Sequence, residues 1–142
     1  MPGLAGQIRR NLVAIISLII AVVSLGYNTW RNERSEYNRT IRTAGIETLL
    51  SLGALEQVTY LANFDPGNVQ GSPRIGWAHA RTVSDLSMLL PDEAKAAAVT
   101  TLNTWEARWR DLGERDQAVS DAIVASIDAN RAAILEAIRE LD

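Results

Sequence analysis

Fourteen consecutive residues, Leu12 to Leu25 (LVAIISLIIAVVSL), carry no charge, and only Ser17 and Ser24 among them have polar side chains. Nothing else in the chain restricts its folding as strongly. A surface helix of a small domain keeps one polar face, and this stretch has none. A hydrocarbon core about 30 Å thick needs about 20 helical residues at about 1.5 Å each. Leu12–Leu25 alone is short of that, and the residues from Gly26 to Trp30 bring the span close to it. Tyr27 and Trp30 are amphipathic aromatics of the kind that settle at headgroup depth. Arg9 and Arg10 precede the run and can snorkel to the opposite interface, while Arg31 and Arg34 follow it. The expectation is a membrane-spanning helix, with residues 1–30 as tail and anchor and residues 31–142 as a helical domain. Two other readings stay open. The run could be a buried core helix, or a signal peptide cleaved near Ser24-Leu25-Gly26.

Beyond the anchor the chain is rich in alanine, leucine and isoleucine and holds one phenylalanine, Phe64. That balance favours helix over strand. From Arg31 to Asn63 there is no proline, and Gly45 and Gly53 are isolated. One long helix follows, or two collinear ones with a weak point near Gly45. Ile41, Ala44, Thr48, Leu52, Leu55, Val58 and Ala62 recur at three/four spacing. Ile46, Leu49, Leu50, Leu61 and Phe64 broaden the apolar face beyond one stripe.

Asp65 to Ser72 (DPGNVQGS) reads as a loop. Ser72 and Pro73 then form a helix start, and that helix runs to about Leu90, where Pro91 ends it. Its predicted inner side is Ile75, Ala78, Thr82, Leu86 and Leu89. A third helix opens at Pro91 with Asp92 and Glu93 in its first turn, where the helix dipole favours anions. Its apolar face holds Ala98, Leu102, Trp105, Trp109 and Leu112, with Gly113 as its stop. Asp116 caps a last helix bearing Val119, Ile123, Ile127, Ile134, Ile138 and Leu141. Asn130 interrupts that stripe and is expected at its edge, reaching water, the alternative being a polar residue within the seam that fixes register or oligomeric state. The fold class is therefore all-α: a transmembrane helix continuing into an antiparallel bundle of about four helices. Leu102, Trp105, Trp109 and Ile127 are its expected core residues.

Chemistry is sparse. The chain has no cysteine and one histidine, His79, so thiolate nucleophiles and cysteine metal sites do not arise. A Ser-His-Asp triad would rest on His79 alone, and no Glu-x-x-His pair offers a di-iron site. Gly67 and Gly71 sit in a turn without a P-loop lysine. Arg31, Arg34, Arg39 and Arg42 make a basic collar after the anchor, and the chain beyond is acidic. Such a body disfavours nucleic-acid binding, which needs a basic stripe. A collar of this kind favours anionic headgroups. The expected partners are membrane lipid together with a second copy or other membrane protein subunits. No cofactor, metal or catalytic residue is expected, and the anticipated role is that of an accessory or self-associating scaffold. The alternative is a bundle that holds a small ligand between its helices.

Tyr27 to Arg42 (YNTWRNERSEYNRTIR), followed by an apolar helical run, resembles a group of short bacterial membrane proteins of uncharacterised function. Gly76-Trp77, Asp85-Leu86-Ser87 and Leu89-Leu90-Pro91 are similar to that group as well. The resemblance implies a bacterial inner-membrane protein laid out as an anchor plus helices. It carries no activity and no catalytic residue.

Overall fold

A computed structural model describes residues 4–65, 67–113 and 116–141, with the side chains of residues 4–6 and 8–10 left undescribed. The protein is all-helical. Helix α1 covers Leu4–Phe64, α2 Pro73–Ser87, α3 Asp92–Arg108 and α4 Gln117–Arg139, and a 3-10 turn at Val69–Gly71 leads into α2. Two compact units share α1, one ending at Asn38 and the other beginning at Arg39.

The first unit is helix alone among its described residues. The second is a bundle made by the later part of α1 with α2, α3 and α4. Short connections force α2 against α3, and α3 against α4, in antiparallel pairs. Helix α4 also runs antiparallel to α1: Ile134 and Ile138 lie over Gly45, while Arg131 reaches Glu56. The seven α1 positions at three/four spacing, Ile41 through Ala62, are all buried. They meet Ala80 and Val83 of α2, Ala94, Ala98 and Trp105 of α3, and Ile123, Ile127 and Ile134 of α4 in one core. No break occurs at Gly45. That glycine instead lets α4 approach, because a Cβ there would stand 2.9 Å from Ile138 Cδ1.

Helix ends follow local chemistry. Asn68 accepts a bond from the Gln70 N–H (2.9 Å) and caps the 3-10 turn. Asp116 accepts from the Ala118 N–H (2.9 Å) at the start of α4, which satisfies a donor that the helix itself cannot. Ser72 occupies the cap position of α2 but makes no side-chain cap bond, and Pro73 at the first turn needs none for its own nitrogen. Gly67 and Gly113 have φ of +106° and +97°, the turn geometry that glycine adopts without a Cβ penalty.

Four expectations change, and the first is that α3 ends at Arg108 with Trp109 as its cap, short of Leu112 and Gly113. Helix α2 stops at Ser87, not Leu90. Met88, Leu89 and Leu90 donate to carbonyls three residues back, since Pro91 keeps Leu90 from continuing an α-helix. The buried face of α2 is Gly76, Ala80, Val83 and Ser87, whereas Ile75, Ala78, Thr82 and Leu89 are exposed. Small residues won this face because α2 must lie close to the Trp105 ring. Asn130 is fully buried rather than at a wet edge, and its Nδ2 donates to Thr101 Oγ1 at 3.2 Å.

Candidate membrane anchor and interaction surface

Within the first unit, the ten large apolar side chains from Leu12 to Leu25 are between 47% and 69% exposed. In water that surface would be unfavourable by about 25 cal/mol per Å² of apolar area. No part of the described protein covers it, and the window meets the length and apolarity needed to cross a bilayer. At its end the side chains change character together. The Tyr27 and Trp30 rings lie 6.1 Å apart and tilted, and the Arg34 guanidinium stands 6.0 Å from the Trp30 ring. Spacings of three and four residues put these side chains on one flank of the helix. Thr29 donates to the Leu25 carbonyl (3.0 Å), which hides its hydroxyl within the helix. Arg31 follows, exposed. The interfacial role assigned to Arg9 and Arg10 falls outside the described side chains.

The four residues named for the core divide into two pairs. Trp105 and Ile127 are fully buried, while Leu102 and Trp109 are half-buried and packed against the core from outside. Thr101 takes the inner place that Leu102 was expected to hold. Its hydroxyl lies 3.1 Å from the Ala97 and Ser126 carbonyls and accepts from Asn130, so it links α3 to α4. The three/four pattern of Ala98, Leu102, Trp105, Trp109 and Leu112 could not reveal this, because it follows apolar residues and Thr101 lies one position beside that stripe.

Trp109 instead meets Trp77 edge-on, with ring centroids 6.1 Å apart. Arg81 lies over Trp77 at 5.5 Å and Arg110 over Trp109 at 5.3 Å. This outer cluster borders an open groove of about 320 Å³ between α2 and α3, lined also by Ser84, Asp85, Leu102 and Glu106. A second open cleft, about 470 Å³, is lined by Asp65, Gly67, Asn68, Ser72, Leu112 and Gly113 among others. His79 is half-buried on α2. Among the described residues, no group of three or more His, Asp or Glu is placed to hold a metal ion.

Helix α1 also exposes large apolar side chains within the bundle unit. Ile46, Leu50, Tyr60 and Phe64 of α1 are 55%, 70%, 42% and 63% exposed. Tyr60 and Phe64 stack at 6.2 Å. Gly53 and Gln57, both exposed, lie between Leu50 and Tyr60 in the chain.

No family model, curated protein or solved structure matches this chain.

Its chemistry must therefore be read from its own surfaces. One is an uncovered apolar helix with an aromatic and arginine border. The other is the set of exposed apolar side chains on the outer side of α1 in the bundle unit.

Proposed function

We propose that the protein is a non-enzymatic, single-pass membrane protein whose helical bundle binds other protein, as an accessory or self-associating subunit of a membrane assembly. The observation that carries this is the uncovered segment Leu12–Leu25, every large side chain of which is about half exposed or more. Lipid is the environment in which such a helix is stable, since its backbone groups are bonded internally. The Tyr27–Trp30–Arg34 cluster supports a headgroup boundary on that side. The exposed Ile46, Leu50, Tyr60 and Phe64 side chains of α1 support a protein-binding role for the bundle.

The lysine and arginine count close to a span sets its orientation. Arg31, Arg34, Arg39 and Arg42 outnumber Arg9 and Arg10. On this reading the bundle faces the cytoplasm of a bacterial inner membrane, with the arginines against its anionic leaflet, and the alternative is a periplasmic bundle.

The test is alkaline carbonate extraction of membranes from cells making the full chain, followed by sizing in mild detergent and mass identification of what co-migrates. Retention in the carbonate-washed membrane, with a species larger than the monomer, is expected. Release into the carbonate supernatant would overturn the proposal.

A further inference from the structure

Within the first unit, the charges that follow the apolar run are sorted around the helix. The residues three and four positions from Arg31 are Tyr27, Asn28, Arg34 and Ser35, and those from Arg34 are Trp30, Arg31, Tyr37 and Asn38. None is acidic, so neither arginine has a carboxylate at helical pairing distance. Both are exposed, and among the described residues neither takes part in an ion pair. At about 100° per residue, Glu33 and Glu36 are centred roughly 160° round the helix from the two arginines. Like charges this close are unfavourable on a helix, and no described acidic residue of this unit stands beside them to offset it.

Depth and geometry narrow what answers them. With the hydrocarbon edge at Trp30, Arg31 and Arg34 stand at most about 1.5 and 6 Å farther along the axis. The headgroup layer of one leaflet is about 5–7 Å thick, so both arginines fall at the level of the lipid phosphates. Arg39 and Arg42 follow in the second unit. The Arg34 guanidinium stands 6.0 Å from the Trp30 ring, and an aromatic face attracts and orients it without using its N–H donors. That leaves a planar fork, the shape that meets two oxygens of one phosphate. Thr29 does not compete for the anion, because its hydroxyl donates to the Leu25 carbonyl.

We infer that the Trp30–Arg31–Arg34 flank of α1 is a binding site for the phosphate of one anionic phospholipid in the adjoining leaflet. Arg34 holds the phosphate oxygens, Arg31 supplies the second charge, and Trp30 orients the Arg34 fork. This rests on the membrane anchoring proposed above and names the lipid class that the anchor selects. The occupant is a lipid rather than a free anion because the site adjoins the exposed run Leu12–Leu25, along which acyl chains pack. A zwitterionic headgroup brings its own cation toward the two arginines. A phosphatidylglycerol headgroup has none and neutralises them.

The full chain, purified in mild detergent, is titrated with phosphatidylglycerol or with phosphatidylcholine of the same acyl chains, and bound lipid is counted by native mass spectrometry. The expected result is one phosphatidylglycerol per chain, held roughly tenfold more tightly than phosphatidylcholine, as two arginines at headgroup depth provide. Arg31→Gln with Arg34→Gln should abolish the preference. Arg34→Lys keeps the charge and loses the fork, so it should lose most of the preference. Arg39→Gln removes an equal charge in the second unit and should leave the preference intact. Equal binding of the two lipids would overturn the site. A preference kept by Arg34→Lys, or lost equally in Arg39→Gln, would overturn it in favour of diffuse charge attraction. Displacement of the lipid by inorganic phosphate would overturn the lipid as occupant. If the preference is absent while carbonate-washed membranes retain the chain, the anchoring stands and the lipid site alone falls. Release of the native chain from those membranes would overturn both.

Discussion

The six-membered ring of Trp105 occupies the space where a Cβ on Gly76 would stand. This contact joins α2 to α3 and explains why the inner face of α2 is built from glycine, alanine, valine and serine. Trp105 is fully buried, and its Nε1–H has no hydrogen-bond partner among the described residues. The ring is therefore held by packing, and its contribution depends on the close approach of α2.

Gly76→Ala should destabilise the bundle by about 1–3 kcal/mol, the range for overpacking a filled core. Trp105→Ala should destabilise it by about 3–5 kcal/mol. Chemical denaturation of the detergent-solubilised chain, followed by circular dichroism, measures both. Trp105→Leu leaves room at residue 76, so adding Gly76→Ala to it should have a much smaller effect than in the native background. Equal effects in both backgrounds would mean that the ring and the glycine are not coupled.

Thr101 and Asn130 form the buried polar link between α3 and α4. Thr101→Val should destabilise the bundle by about 1–3 kcal/mol, because the Asn130 side chain is left without its partner in a dry site. Asn130→Leu removes that amide, including an Oδ1 that has no partner among the described residues. The double variant Thr101→Val, Asn130→Leu should consequently be more stable than Thr101→Val alone. A double-mutant cycle in denaturant checks it, and strict additivity would refute the coupling.

Arg131 bridges Asp128 on its own helix and Glu56 of α1, the latter at 2.6 Å. The Arg131 and Glu56 side chains are about a third and a quarter exposed, so water screens the pair. Glu56→Gln should therefore lower stability by no more than about 1 kcal/mol, and the difference should shrink in 1 M salt. A loss that persists unchanged in salt would show that Glu56 acts through its hydrogen-bond geometry and not through its charge.

In the anchor, Leu18→Arg places a cation near the middle of the apolar run. On insertion scales this is unfavourable by about 2.5–3.5 kcal/mol. The carbonate-resistant fraction should drop clearly, whereas Leu18→Val should leave it unchanged. Similar retention of both variants would show that membrane attachment does not depend on insertion of this helix.

Orientation is tested by alkaline phosphatase fused after Asp142, since the enzyme is active only where its disulfides form. Low activity in intact cells is expected. Changing Arg31 and Arg34 to Asn should raise it, because charges near the span set topology. High activity from the unaltered fusion would place the bundle on the periplasmic side.

The sequence by itself determined what depends on near neighbours. A charge-free run is legible because hydropathy is additive along a helix. The α1 core stripe from Ile41 to Ala62 was readable because its spacing repeats without interruption. The Asp116 cap and the stop before Pro91 arise from backbone groups within a few residues. Tertiary structure decided the rest. Which face of α2 turns inward was set by the bulk of Trp105, a residue 29 positions from Gly76. Thr101 and Asn130 became interior because each meets the other helix, and a polar residue is stable there only when a partner stands opposite. Trp109 and Leu102 stay half-buried against the outside of the core, with Trp77 of α2 edge-on to the Trp109 ring. Gly45 and Gly53 are alike in sequence, yet α4 fills the space beside one and leaves the other open. Periodicity lists every apolar position on a helix, but only the arrangement of its neighbours decides which of them are covered.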